Sequence, residues 1–173
     1  MNFFEAACQS GPFELETFGL CDDASSSCAY VDTSTPAKWI ATVSNPNQRA
    51  LTFTAVDKCV LRDGEAVETP RCDGMLTAPG VLYLVELKDQ RAHWLPHAMA
   101  QLESTIKLLH THHAVDLKSF RHKKAFACNR RNGAFRRIDQ ETQLRFFRLY
   151  GFRIDVQSTV LVLPARAIAP DVR

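Results

Sequence analysis

The sequence has no long hydrophobic run. Its longest apolar stretches, Val81–Val85 and Val160–Leu163, are strand-sized, whereas a bilayer-crossing helix takes roughly 20 apolar residues. The opening Met-Asn-Phe-Phe-Glu carries an acid where a secretory leader needs basic residues, and no apolar segment of leader length follows. These absences predict a cytoplasmic chain with no membrane partner. The six cysteines, at 8, 21, 28, 59, 72 and 128, form no CxxC pair, and no histidine pair lies at finger spacing from them. Without a leader, reduced thiols are expected. Net charge of one sign is also scarce, at only +2, so a surface for nucleic acid has to come from local clustering rather than bulk charge. There is no internal repeat and no low-complexity linker. What remains is a chain of 173 residues, 46% of them apolar, enough for the core of one ordinary domain.

Residues 1–48 read as an N-terminal extension. It has a helical start in which Phe3, Phe4 and Ala7 share a face, a mobile polar loop near 22–28, and a strand over Trp39–Val43. Residues 49–163 form the core and 164–173 a tail. Leu51–Leu61 alternates as a half-buried strand. Asp63-Gly64 supplies a hairpin turn, and a return strand follows around Val67–Leu76, interrupted by Pro70. After the Pro79-Gly80 turn comes the strong strand Val81–Lys88. The period then changes: Leu95, Met99, Leu102, Ile106 and Leu109 line one face of a helix from Trp94 to His112, with Pro96 tolerated in its first turn. Ala125–Cys128 reads as a short buried strand. Asp139–Tyr150 reads as a second helix stopped by Gly151, and Phe152–Leu163 as a last strand or strand pair. Strands, helix, strand, helix and strand in that order predict a mixed α/β sheet flanked by helices, with α+β as the alternative.

The residues that carry chemistry are Asp73, Glu86 and Lys88. Alternation along a strand puts Glu86 and Lys88 on one face with Leu82 and Leu84. The turn at 79–80 lets Asp73, on the preceding strand, lie beside Glu86. Two carboxylates and an ammonium at one sheet end are costly unless something compensates them, and a hard divalent cation does so. The plainer reading is a surface Glu–Lys pair guarding an edge strand. The apolar residues on both faces before Glu86 argue for a central strand instead.

Asp73, twelve intervening residues, Glu86-Leu87-Lys88 and then an amphipathic helix resemble the PD-(D/E)xK, restriction-endonuclease-like nuclease superfamily, over roughly Leu51 to Cys128. The proline that names the motif does not directly precede Asp73; Pro70 is the nearest. The resemblance implies a restriction-endonuclease-like fold and Mg2+- or Mn2+-dependent hydrolysis of a nucleic-acid phosphodiester. Asp73, Glu86 and the Leu87 carbonyl would hold the metal, Lys88 would stabilise the transition state, and Gln101 would orient water or Lys88. Thr105 stands where some members have a tyrosine. The runs Trp39–Val43, Thr52–Asp57, Arg71–Leu76 and Val85–Lys88 are also similar to a group of bacterial proteins of unassigned function, a likeness that supplies no substrate.

Asp57 is a further candidate ligand, set against an ordinary strand-end role, and Glu14 or Glu16 are acids that an N-terminal element would bring near. Nine cations lie between Lys107 and Arg137, with Asp116 the one acid. Of these, Lys118, Arg121, Lys123, Lys124, Arg130 and Arg131 are the expected nucleic-acid contacts, DNA being favoured over RNA. Phe120 and Phe135 are assigned to the core rather than to base stacking. His110, His112 and His113 fit a solvated helix end. Three readings stand: the nuclease, with a homodimer as one arrangement for cutting a duplex; an inactive nuclease-fold module binding nucleic acid or protein; and an interaction protein structured by zinc on the N-terminal cysteines.

Overall fold

The computed structural model describes residues 1–24, 26–62 and 69–165. The 63–64 hairpin turn, the start of the return strand and most of the C-terminal tail lie outside the described residues. The elements in order are β1 (Gln9–Phe13), β2 (Thr17–Cys21), β3 (Tyr30–Asp32), β4 (Ala41–Ser44), β5 (Leu51–Ala55), β6 (Gly74–Ala78) and β7 (Val81–Lys88). They continue with α1 (Leu95–His113), β8 (His122–Asn129), α2 (Gln140–Tyr150), β9 (Arg153–Val156) and β10 (Thr159–Leu161). The class is mixed α/β.

One six-stranded sheet runs β1-β5-β6-β7-β8-β9. The first four strands pair antiparallel, whereas β8 and β9 add in parallel. A parallel neighbour needs a crossover, and α1 is the crossover from β7 to β8. Strand β7 is central and apolar on both faces because each face meets another layer. Leu82 and Leu84 pack against Ala98, Leu102, Ile106 and Leu109 of α1. Val81, Tyr83, Val85 and Leu87 face a second sheet of order β10-β4-β2-β3. The layers are therefore helices, main sheet and small sheet. Leu102, Ile106 and Leu109 are fully buried, each contributing about 1.5–3 kcal/mol.

Several expectations change. The first 48 residues supply the edge strand β1 and three of the four strands of the second sheet, and their helical start is only the turn Ala6–Cys8. Bonding across the sheets outweighs the weak local pattern of Phe3, Phe4 and Ala7. Strand β5 stops at Ala55 instead of Leu61, because a turn with Lys58 at φ 63° follows. Strand β6 begins only at Gly74. Strand β8 extends back to His122, the stems of Lys123 and Lys124 lying along the sheet. Cys8 and Cys59 form a disulfide across 51 residues, contrary to the expected reduced thiols, and it ties the chain start to the turn after β5. Cys21, Cys28, Cys72 and Cys128 are free. Helix α2 is capped by Asp139, which accepts from the Thr142 N–H at 2.8 Å, and ends at Gly151 with φ 70°. No helix among the described residues is long and apolar enough to cross a membrane.

Candidate active site

The site lies where the β6–β7 ladder ends beneath α1. The last antiparallel pair is Gly74 with Val85. A side chain at Gly74 would strike the Phe53 ring at 2.5 Å, so glycine lets β5 and β6 stay close here. One residue earlier the chain leaves the ladder, and the Asp73 side chain takes over: its Oδ2 accepts the Leu87 N–H at 2.6 Å. The N–H and C=O of a strand residue point to the same side, so the Leu87 carbonyl opens toward Asp73 as well.

Glu86 shares the helix-facing side with Leu82 and Leu84, but it does not emerge at the end of the buried face. It is 0% exposed and Asp73 is 7% exposed. Lys88 Nζ lies 2.5 Å from Glu86 Oε1. Beyond that ammonium, neither buried Glu86 oxygen has a hydrogen-bond partner among the described residues. Burial, with Asp73 beside it, pushes the Glu86 carboxyl well above its ordinary range, against the pull of Lys88. Burial likewise raises Asp73 to about 7, the Leu87 N–H opposing it.

Lys88 Nζ also donates to Gln101 Oε1 at 2.8 Å, and Gln101 Nε2 donates to the Arg71 carbonyl at 3.0 Å. Four residues on, buried Thr105 accepts the Cys72 N–H at 2.9 Å and donates to the Gln101 carbonyl at 2.9 Å. Helix α1 is thereby bonded to both residues that precede Asp73. Thr105 thus has a structural role that sequence reasoning passed over. Asp57 is engaged by Arg71 at 2.5 Å. Glu14 and Glu16 are exposed at the turn between β1 and β2. The N-terminal acid nearest in effect is instead Asp22, at the end of β2. Its carboxyl is raised by burial and by neighbouring Asp57, and its charge helps raise Asp73. The signal in sequence was no more than a polar Asp-Asp pair.

The basic tract divides. Lys118, Arg121, Lys123 and Lys124 lie at the start of β8, beside the start of β7, whereas Arg130 and Arg131 follow its end. The register Lys88 opposite Asn129 puts those two arginines at the site's end of the sheet. There Arg131 pairs with Asp89 at 2.6 Å and Arg130 approaches it at 3.9 Å. A cavity of about 650 Å3 borders this end, lined in part by Arg91, His93, Asn132 and Arg136. Phe120 stacks on Phe4 at 6.1 Å as core. Phe135 is 64% exposed and is not core, because the chain after β8 leaves the sheet. His113 is held rather than solvated: its Nε2 accepts the Phe3 N–H at 3.2 Å, so Nδ1 carries the proton donated to Asp116 at 2.9 Å. His110 bonds the Tyr150 carbonyl at 3.1 Å.

Among the described residues no group of three or more His, Cys, Asp or Glu gathers at metal-ligand spacing. A magnesium-type site asks for less, one or two carboxylates with water and substrate oxygens completing the shell. Asp73, Glu86 and the Leu87 carbonyl suit that donor set, and the buried Glu86 carboxyl, met only by Lys88 among the described residues, leaves an oxygen that a cation would satisfy. Comparison with protein-family models, with curated proteins and with solved structures finds no match.

Proposed function

We propose that the chain is a metal-dependent nuclease that hydrolyses a phosphodiester of nucleic acid at the Asp73–Glu86–Lys88 cluster. The observation that carries this reading is Glu86, a fully buried carboxyl whose oxygens meet only the Lys88 ammonium among the described residues, beside a second buried carboxyl at the end of two strands. Such a pair destabilises the fold on its own, and strain of that kind gathers at functional sites. The antiparallel run β5-β6-β7, crossover helix α1 and parallel β8 support a restriction-endonuclease-like arrangement.

In this reading Asp73, Glu86 and the Leu87 carbonyl hold the cation. Bound there, the cation would supply charge on a phosphoryl oxygen and a more acidic water. Lys88 offers an ammonium at the reacting phosphate. Gln101 fixes that ammonium and is itself fixed by the Arg71 carbonyl. Arg130, Arg131 and the cavity beside them offer cations for neighbouring phosphates.

A panel of labelled single- and double-stranded DNA and RNA, with and without Mn2+, tests the reading. Metal-stimulated cleavage is expected in the parent chain and absent in Glu86→Gln and Lys88→Ala, both folded. Persistent cleavage in both variants would remove the mechanism. The second reading, an inactive binding module, draws on the Lys88–Glu86 contact, since a carboxylate with its own ammonium is partly compensated without metal. Failure of Mg2+ and Mn2+ to bind near Asp73 would favour it.

A further inference from the structure

The cations at the start of β8 do not scatter over a solvated loop. Arg121, His122, Lys123 and Lys124 line a cavity of about 350 Å3 with Phe147 of α2 and Arg153 of β9. No acid lines it. Lys124 is compensated from the rim by Asp155 at 2.9 Å. Lys123 is not: its half-buried ammonium donates only to the Phe120 and Leu117 carbonyls, at 2.7 and 3.4 Å. Burial alone moves its pKa, and moves it down. Arg121 and Arg153 have no ion pair among the described residues. Arg153 instead lies 5.6 Å over the Phe147 ring, and that ring is 51% exposed although phenylalanine has no polar group to hold it in water.

Cations around a half-open cavity call for an anion. An exposed aromatic ring at the same wall calls for a flat apolar partner. An unpaired nucleotide supplies both, its phosphate for the arginines and its base for the ring, whereas a duplex keeps its bases stacked inside. We propose that this cavity is a second nucleic-acid site, an anchor for single-stranded substrate, with Arg121, Lys123 and Arg153 on phosphate and Phe147 under a base. The assignment deepens the nuclease reading, on which it rests for the ligand's identity, by naming the strand state. Seven strand steps separate His122 from Asn129, about 23 Å at 3.3 Å per residue. A strand held in the cavity therefore has to span at least that distance to reach the candidate active site.

The test uses the full chain with its disulfide intact, in EDTA so that nothing is cut. Fluorescence anisotropy compares a 24-nucleotide single strand, a 6-nucleotide single strand and a 24-base-pair duplex. Phe147→Ala is expected to raise the Kd for the long strand about 5- to 150-fold, the range for one lost base–aromatic stack. Arg121→Ala/Arg153→Ala is expected to weaken it and to flatten the salt slope by about 1.4, for two lost phosphate contacts on a single strand. Lys38→Ala, a charge removed from the other side of the fold, controls for net charge. All three replaced side chains of the cavity are exposed, so folding is retained. The proposal is overturned if the long strand does not bind, or if the variants bind it like the parent. It is also overturned if the duplex binds as tightly without regard to Phe147, or if phosphatidylserine vesicles capture the chain in preference to the strand. Cleavage with Mn2+ is scored separately. Phe147-dependent binding with no cleavage would end the nuclease reading and leave the anchor, and cleavage with no such binding would do the reverse.

Discussion

Asp73→Asn should make the metal-free protein more stable, and only at high enough pH. The side chain is 7% exposed, and its carboxyl is raised from 3.8 to about 7, chiefly by burial. Below about pH 4 folded and unfolded chains both hold the proton, so Asp73 has no effect on stability. As pH rises from 4 to 7 the unfolded chain releases its proton while the folded chain keeps it. The folded state then binds more protons than the unfolded one, and stability falls with rising pH. Above about 7 the loss levels off near 4 kcal/mol, from about three pKa units at 1.36 kcal/mol each. Asparagine has nearly the same shape, retains an oxygen for the Leu87 N–H, and carries no charge to bury. In EDTA, urea denaturation of the two proteins should agree at pH 4 and diverge by several kcal/mol in favour of asparagine at pH 8.5. At 2–4 °C per kcal/mol for a chain of this size, the melting temperatures would differ by roughly 10 °C. Excess Mn2+ should restore the parent through binding linkage, by about 2.7 kcal/mol at one hundred times Kd, and leave the variant unmoved. An asparagine variant that is neutral or less stable at pH 8.5 would refute the claim that burial of the Asp73 carboxylate outweighs its partners.

Other outcomes follow from neighbouring contacts. Thr105→Val keeps the shape but strands the buried Cys72 N–H, and should cost about 1–3 kcal/mol in urea denaturation. Gln101→Ala frees Lys88 and should slow metal-stimulated cleavage about 10- to 100-fold, in the manner of a group supporting a metal site, with cation affinity in calorimetry changed less than by Glu86→Gln. Cys8→Ser opens the 51-residue link and should lower stability by about 4 kcal/mol on the loop-entropy estimate, measured with Cys59→Ser also in place to avoid a stray thiol. Gly151→Ala puts a side chain at φ 70° with Lys123 Cε 3.4 Å away, and should lower the melting temperature by an amount equivalent to about 1–2 kcal/mol.

What could be seen in the sequence was what is local. Val81–Lys88 announces itself because both of its faces are buried, and α1 and α2 because their periods and ends are written within a few residues: Pro96 early in one, Asp139 and Gly151 bounding the other. Asp73, Glu86 and Lys88 follow from alternation and one short turn, so their convergence was legible, and so was the Gln101 partner through family resemblance. The second sheet was not. Its strands are three to five residues long, and β10 finds β4 from more than a hundred positions away. The Cys8–Cys59 link has no spacing signature, and Asp22 reaches the site's field from a different layer. The division of the basic tract also needed the fold, because an eight-residue strand carries two adjacent clusters in sequence to opposite ends of a sheet.

The end of the β6–β7 ladder has one more consequence. Where a backbone carbonyl would ordinarily face the Leu87 N–H, a titrating carboxylate does. That amide is thus a built-in indicator electrode: its proton resonance registers the charge on Asp73, so it follows acidification and would also report a cation bound there as proposed, without any turnover. A single backbone signal can be followed to learn whether the carboxyl is charged or neutral, and whether the proposed cation binds, even in a sample that cuts nothing.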